Sequence, residues 1–174
     1  SKKPDTDSNR PFRGVFDGKG FTIDNVYINT SNNVQGIFGL VIDGEIKNVN
    51  LGENSILSMS GSATGGIVGY MYNIGKISNC NNYANIEQTR GGIVGIVAGS
   101  ITISNCINYG DLNNAYGGIV GSSNGTDWEE FSDVQHTIIN CGNYGNITKN
   151  TDNDYLGGIV GYFKGTISNS FNNG

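Results

Sequence analysis

The amino-acid sequence predicts an all-β fold: a right-handed parallel β-solenoid (β-helix) of about six coils with a repeat of roughly 26 residues. Three observations predict it. A Gly-Ile-Val-Gly tetrapeptide recurs, an Ile-x-Asn step follows each copy, and the segments between are short, β-branched and bounded by glycine or asparagine. In stacked coils, each backbone would pair with its neighbours about 4.8 Å away. The right hand follows the general rule for parallel crossovers.

The tetrapeptide sets the register of the predicted coils. Four copies and one variant with phenylalanine in place of valine occur, at Gly36–Gly39 (the variant), Gly66–Gly69, Gly92–Gly95, Gly118–Gly121 and Gly158–Gly161. Glycine at a coil corner supplies a positive φ or a close backbone approach. A phosphate-binding loop would need a following helix and a Lys-Ser/Thr pair, and neither is predicted here.

The Ile-x-Asn step predicts a corner. In an unbroken strand Ile77 and Cys80 would face opposite sides, although both are core-like, so we expect a bend at Asn79. The equivalent asparagines should then stack and hydrogen-bond between coils, and ligand binding by them is the less favoured alternative. They are Asn48, Asn79, Asn105, Asn140 and Asn169. Ile23-Asp24-Asn25 is assigned as the equivalent step of the first coil.

Cys80, Cys106 and Cys141 occupy one equivalent position in successive repeats. Without C-x-x-C spacing or a nearby histidine, a metal or redox cluster is disfavoured. We expect a buried column of free thiols, because stacked side chains point in parallel.

The repeats divide a single domain over residues 1–174. Its predicted parts are a cap or linker at 1–11 and coils near 12–35, 36–65, 66–91, 92–117, 118–157 and, in part, 158–174. Because the chain stops within a repeat, we expect flanking domains of a longer parent. Propeller blades need longer units, and a leucine-rich repeat needs a leucine pattern that is missing here.

Composition limits the partners. The formal net charge is −5 and only 14% of residues are charged, which disfavours nucleic acid and anionic lipid. No apolar run is long enough for a transmembrane helix, so direct membrane insertion is not expected.

The fifth coil is longer than its neighbours, and insertions in solenoids map to loops that often bind partners. If any residues contact a ligand, we expect exposed aromatic side chains with carboxylates around them. These candidates are Trp128, Phe131, Tyr155, Asp127, Glu129, Asp152 and Asp154. The alternative is that the aromatic residues cover the side of the solenoid. A calcium site at residues 152–154 would have too few ligands.

The sequence gives little support for catalysis. His136 is the only histidine, H-E-x-x-H does not occur, and a Ser-His-Asp triad could use only this one histidine. Carboxylates for glycoside hydrolysis cluster only in the longer insertion, rather than on a strand face. We therefore expect no enzymatic activity, no cofactor and no bound metal.

The tetrapeptides, the Ile-x-Asn steps and the opening segment Phe12–Ile23 together resemble the GLUG-motif repeats of bacterial cell-surface proteins. The resemblance extends from about Phe12 to Gly174, with Gly-Ile-Val-Gly replacing Gly-Leu-x-Gly. Such repeats occur in adhesins and in non-catalytic regions of IgA-specific metallopeptidases. The resemblance implies a secreted or surface-anchored extracellular bacterial module that acts as an adhesive surface or spacer. Its partner would be a host or bacterial surface protein or glycan. The alternative is a carbohydrate-binding or polysaccharide-active β-helix.

Overall fold

The computed structural model of the chain describes residues 10–123, 135–149 and 155–174. Within these ranges the regular structure consists of parallel strands, and no helix is present. Five turns connect six layers, each hydrogen-bonded to the next. The predicted parallel β-solenoid is therefore confirmed.

The strands are short at the corners and long on one side. In chain order they are β1 (Phe12–Asp17), β2 (Thr22–Ile23), β3 (Tyr27–Thr30), β4 (Val34–Gln35), β5 (Phe38–Lys47), β6 (Asn50–Leu51), β7 (Ile56–Met59), β8 (Ala63–Thr64), β9 (Val68–Ser78), β10 (Asn81–Asn82), β11 (Ile86–Glu87), β12 (Val94–Ser104), β13 (Ile107–Asn108), β14 (Leu112–Asn113), β15 (Val120–Ser123), β16 (His136–Ile139), β17 (Gly142–Asn143), β18 (Ile147–Thr148), β19 (Val160–Tyr162), β20 (Gly165–Ser168) and β21 (Phe171–Asn172).

Three sheets form the sides of the solenoid. The long sheet has the order β1-β5-β9-β12-β15-β19, with β16 joined to β12 and β20. The second has the order β2-β6-β10-β13-β17-β21, and the third β3-β7-β11-β14-β18. The strands β4 and β8 form a separate pair. In the first five layers the chain crosses the long, second and third sheets in that order, and the last layer contributes strands to the long and second sheets only.

The register agrees with the repeat read from the sequence, except in the first layer. Ile77 pairs with Ile46 on one side and with Ile103 on the other. The assignment of Ile23 to this column is wrong, because Ile23 pairs with Leu51 in the second sheet. Phe16 occupies the position opposite Ile46.

The tetrapeptide glycines are required by close packing between layers. A Cβ on Gly92 would collide with the carbonyl oxygen of Gly118 and with the side chain of Asn108. Its φ is not positive. Between the glycines, Ile93 is fully buried. The motif therefore brings two backbones together while its isoleucine enters the core.

The core is a continuous apolar column inside the three sheets. Val41, Met71 and Val97 of the long sheet point inward and are fully buried. Ile42, Tyr72 and Ala98 alternate with them and form a second cluster on the opposite side of that sheet.

Candidate functional site

The corner asparagines form a hydrogen-bonded column on the outside of the solenoid. Asn79, Asn105 and Asn140 each donate an Nδ2–H to the Oδ1 of the asparagine in the preceding layer, over 3.1–3.2 Å. The five predicted asparagines all have φ values between 49° and 56°. The bend expected at Asn79 is therefore confirmed, and it explains how Ile77 and Cys80 both face inward.

An aspartate continues this column in the first layer. Asn48 donates its Nδ2–H to Asp17 Oδ1 at 2.8 Å. That bond, with a further one from the Lys19 backbone N–H, holds the pKa of Asp17 well below its ordinary value of 3.8. At the other end, Asn169 shares the corner conformation but joins no side-chain hydrogen bond within the described residues.

The structure places the three cysteines one above another in the core. Each is fully buried, and each Sγ lies 3.2–3.3 Å from the carbonyl oxygen two residues earlier. Backbone bonds join the column, from Ile107 N–H to Cys80 O and from Gly142 N–H to Cys106 O. Burial raises the pKa of the Cys106 thiol well above its usual value. All three thiols are free.

A second asparagine column lies inside the solenoid, and sequence reasoning missed its role. Asn82, Asn108 and Asn143 have no exposed surface. Asn82 donates to Asn108 Oδ1 and Asn108 to Asn143 Oδ1, each at 2.7 Å. Each Nδ2 also donates to the carbonyl oxygen two residues later. The recurring Asn-Tyr dipeptide was the sequence signal for this column. Because burial alternates from residue to residue along an extended strand, one residue of each pair faces the core and the other faces solvent.

The tyrosines of that dipeptide form an exposed aromatic stack. The rings of Tyr83 and Tyr109 are 4.8 Å apart, and those of Tyr109 and Tyr144 are 5.3 Å apart. Their planes differ by only 3°. Each of the three side chains remains 41–44% exposed, so the ring edges and hydroxyl groups face solvent.

Of the predicted contact residues, only Tyr155 lies in the part of the chain that the structure describes. Trp128, Phe131, Asp127, Glu129, Asp152 and Asp154 lie outside it. Tyr155 is 47% exposed, and its ring centre is 5.2 Å from that of Tyr162. Its carbonyl oxygen accepts a hydrogen bond from Lys149 Nζ, which also lies 4.0 Å from the ring centre of Tyr116.

The only histidine is a core residue. His136 is 3% exposed, packs beside Phe163, and its Nδ1 has no hydrogen-bond partner. Burial lowers its pKa from 6.5 to about 4. It is therefore neutral at physiological pH and faces the interior rather than a solvent-accessible site.

Two further findings concern the described residues alone. They contain no group of three or more His, Cys, Asp or Glu side chains arranged to hold a metal ion. They also contain no helix of the length and hydropathy needed to cross a membrane.

In the comparisons with known proteins, the chain matches no family model, no curated protein and no solved structure.

Proposed function

We propose that this chain is a non-enzymatic repeat module of a secreted or surface-anchored bacterial protein, and that it acts as an adhesive surface or a spacer. The observation that carries the proposal is the vertical repetition of side chains on the outside of the solenoid. The corner asparagines and the tyrosines recur in successive layers at one lateral position. A periodic exterior suits repeated weak contacts with a surface.

The interior supports a mechanical role. Neighbouring layers are joined by the backbone ladders of the sheets, and the third, fourth and fifth layers are also joined by the buried amide column of Asn82, Asn108 and Asn143. In such a stack the layers stabilise their neighbours, and the fold requires no catalytic residue in any repeat. The similarity to GLUG-motif repeats supports an extracellular bacterial location.

The first test is location. An antibody raised against the purified chain should label intact, unpermeabilised cells of the source bacterium, or its culture supernatant. Labelling that appears only after permeabilisation would contradict the proposal.

A second experiment separates the two roles. The chain is replaced in its parent protein by an unrelated solenoid of equal length, and attachment of the cells to host or bacterial surfaces is counted. Retained attachment identifies a spacer, whereas lost attachment identifies an adhesive surface.

The second candidate function is carbohydrate binding or polysaccharide cleavage by the same solenoid. The exposed tyrosine stack favours binding, because its ring edges and hydroxyl groups face solvent. Incubation with a panel of polysaccharides, followed by measurement of released reducing ends, distinguishes cleavage from binding. Product formation would overturn the non-enzymatic proposal.

A further inference from the structure

Alternate residues after the Asn79 corner build one continuous outer face. Side chains at these positions point outward while the residues between them are buried or half-buried, as expected for extended backbone. Gly142 is the exception, because it has no side chain and is buried. We call this surface the tyrosine–asparagine face. Over three successive layers it consists of Asn79, Asn81, Tyr83, Asn85 and Glu87; Asn105, Ile107, Tyr109, Asp111 and Asn113; and Asn140, Gly142, Tyr144, Asn146 and Thr148.

The hydroxyl groups of the tyrosine stack are available to a ligand. Within the described residues, the Tyr109 ring stacks against those of Tyr83 and Tyr144, and the Tyr144 ring also meets the ring of Phe171 edge-on at 5.1 Å. The hydroxyl groups of the three tyrosines have no hydrogen-bond partner among these residues. Partial burial and the neighbouring rings raise the pKa of Tyr109. A tyrosine hydroxyl can donate one hydrogen bond and accept others.

The amides of the corner column, four residues before the tyrosines in each layer, can form further hydrogen bonds. Asn79 uses one Nδ2–H within its column and accepts one bond at Oδ1. A primary amide has a second N–H and a second lone pair. In the exposed column these remaining groups face solvent. The face therefore offers hydrogen-bond donors and acceptors in every layer.

Charge on the face excludes some classes of ligand. None of its positions carries lysine or arginine, while Glu87 and Asp111 carry carboxylates. The Asp111 carboxylate accepts hydrogen bonds from Asn146, and Glu87 accepts one from Asn113. An anionic polymer would be repelled, whereas an uncharged ligand rich in hydroxyl groups fits this chemistry.

The distance between tyrosine rings in successive layers favours one kind of uncharged polymer. The hydroxyl-bearing rings repeat every 4.8–5.3 Å along the solenoid axis. A glycan of pyranose units joined through β-1,4 bonds between equatorial positions is extended, and it advances by nearly the same distance per sugar. An α-1,4-linked chain of the same sugars coils instead and loses this match.

We propose that the tyrosine–asparagine face binds an uncharged, extended β-1,4-linked glycan lying parallel to the solenoid axis. Sugar hydroxyl groups exchange hydrogen bonds with the three tyrosine hydroxyls and with amides of the flanking columns, and the sugar C–H groups contact the ring edges. This inference rests on the proposed adhesive role and specifies its ligand.

The test uses two glucose hexamers that differ only in linkage. Cellohexaose, which is β-1,4-linked, and maltohexaose, which is α-1,4-linked, are titrated into the full chain by isothermal calorimetry. We expect cellohexaose to bind at least tenfold more tightly. Affinity should increase from the β-linked dimer to longer oligomers, because each added sugar meets another layer. No detectable cellohexaose binding, or equal binding of both hexamers, would overturn the proposal.

A variant locates the site. Replacing Tyr83, Tyr109 and Tyr144 together by phenylalanine removes the three hydroxyls and keeps the ring stack. We expect at least a tenfold loss of cellohexaose affinity with an unchanged thermal unfolding midpoint. Tyr27→Phe is the matched control, since Tyr27 is exposed but lies off the stack, and it should bind as the unmodified chain does. Undiminished binding by the triple variant would refute the assignment.

The linkage comparison needs no variant, so it remains decisive if the triple variant fails to fold. Failure of the two proposals can also be told apart. Absent cellohexaose binding leaves surface labelling of intact cells unaffected. Conversely, labelling only after permeabilisation, or release of reducing ends from cellohexaose, would contradict the surface module while binding itself remains measurable.

Discussion

Two asparagine columns run along this solenoid, and the same side chain does different work in each. The exposed column at Asn79 turns the chain through a backbone conformation with positive φ. The buried column at Asn108 lies three residues further on in the layers that contain it, where each amide bonds the next amide of the column and the backbone carbonyl oxygen two residues later in its own layer. One column is selected for the conformation of its backbone, the other for its hydrogen bonds.

The difference between the two columns indicates where the loss of an asparagine amide reduces the stability of the fold most. In the exposed column, water can replace the missing bond, so a substitution mainly changes the energy of the corner conformation. In the buried column, truncation leaves donors and acceptors of two neighbouring layers without partners. Stability should therefore depend more on Asn82, Asn108 and Asn143 than on the corner asparagines.

The largest effect is expected for Asn108→Ala. The substitution removes hydrogen bonds to Asn82, Asn143 and the Gly110 carbonyl, all within the core. We expect a loss of about 3–5 kcal/mol in the free energy of unfolding. Chemical denaturation measures it, and Asn105→Ala in the exposed column is the matched control. Equal losses in the two variants would contradict the distinction between the columns.

How far the sequence could predict these columns depends on side-chain direction. The corner column was predictable because Ile77 and Cys80 both had to face inward, which required a bend between them. The buried column was not predicted, because the recurring Asn-Tyr dipeptide marks its position but does not by itself say which of the two residues faces inward. Only the alternation after the bend, visible once the strand is placed, turns Asn82 inward and Tyr83 outward.

The first layer shows a second limit of prediction from sequence motifs. Ile23-Asp24-Asn25 matches the corner motif, and Asn25 does adopt a positive φ. However, the register places Ile23 opposite Leu51, so Asn25 forms a different corner. The true equivalent of the Ile46 position is Phe16, followed by Asp17 and Gly18, and motif matching could not find it without an asparagine.

The next effect in size concerns a buried polar group without a partner. His136 has a pKa lowered to about 4 by burial, against an ordinary value of 6.5. Between these two pH values the unfolded chain binds more protons than the folded one. Protonation of His136 therefore leaves the free energy of unfolding unchanged above pH 6.5 and lowers it as the pH drops towards 4. We expect a loss on the order of 2–3 kcal/mol from this group. Urea unfolding at pH 7, 6, 5 and 4 measures it.

His136→Leu serves as the control, because leucine suits the apolar surroundings and does not titrate. Its stability should change less between pH 7 and pH 4 than that of the unmodified chain. The same slope in both proteins would show that the histidine is not responsible.

A smaller effect separates conformation from hydrogen bonding in the exposed column. Asn105 has φ 54° and donates to Asn79 Oδ1. Both Asn105→Ala and Asn105→Gly lose the amide, but only glycine adopts this conformation without steric cost. We expect the alanine variant to be less stable than the glycine variant by about 1 kcal/mol, measured by thermal unfolding. A more stable alanine variant would mean that the corner conformation is not what the asparagine provides.

The smallest effect is expected where the exposed column meets the first layer. Asp17 accepts a hydrogen bond from Asn48, and its pKa is held below the ordinary value of 3.8. Its contribution is therefore complete above pH 3.8 and is lost as the pH falls through the lowered value. Asp17→Asn keeps an acceptor but cannot titrate, so the stability of the unmodified chain relative to this variant should be greater at pH 5 than at pH 3. Thermal unfolding at both pH values measures this difference in stability. A difference that does not change with pH would show that the hydrogen bond from Asn48 to the Asp17 carboxylate does not stabilise the fold. Water would then replace that bond as easily as it replaces the exposed hydrogen bonds of Asn105.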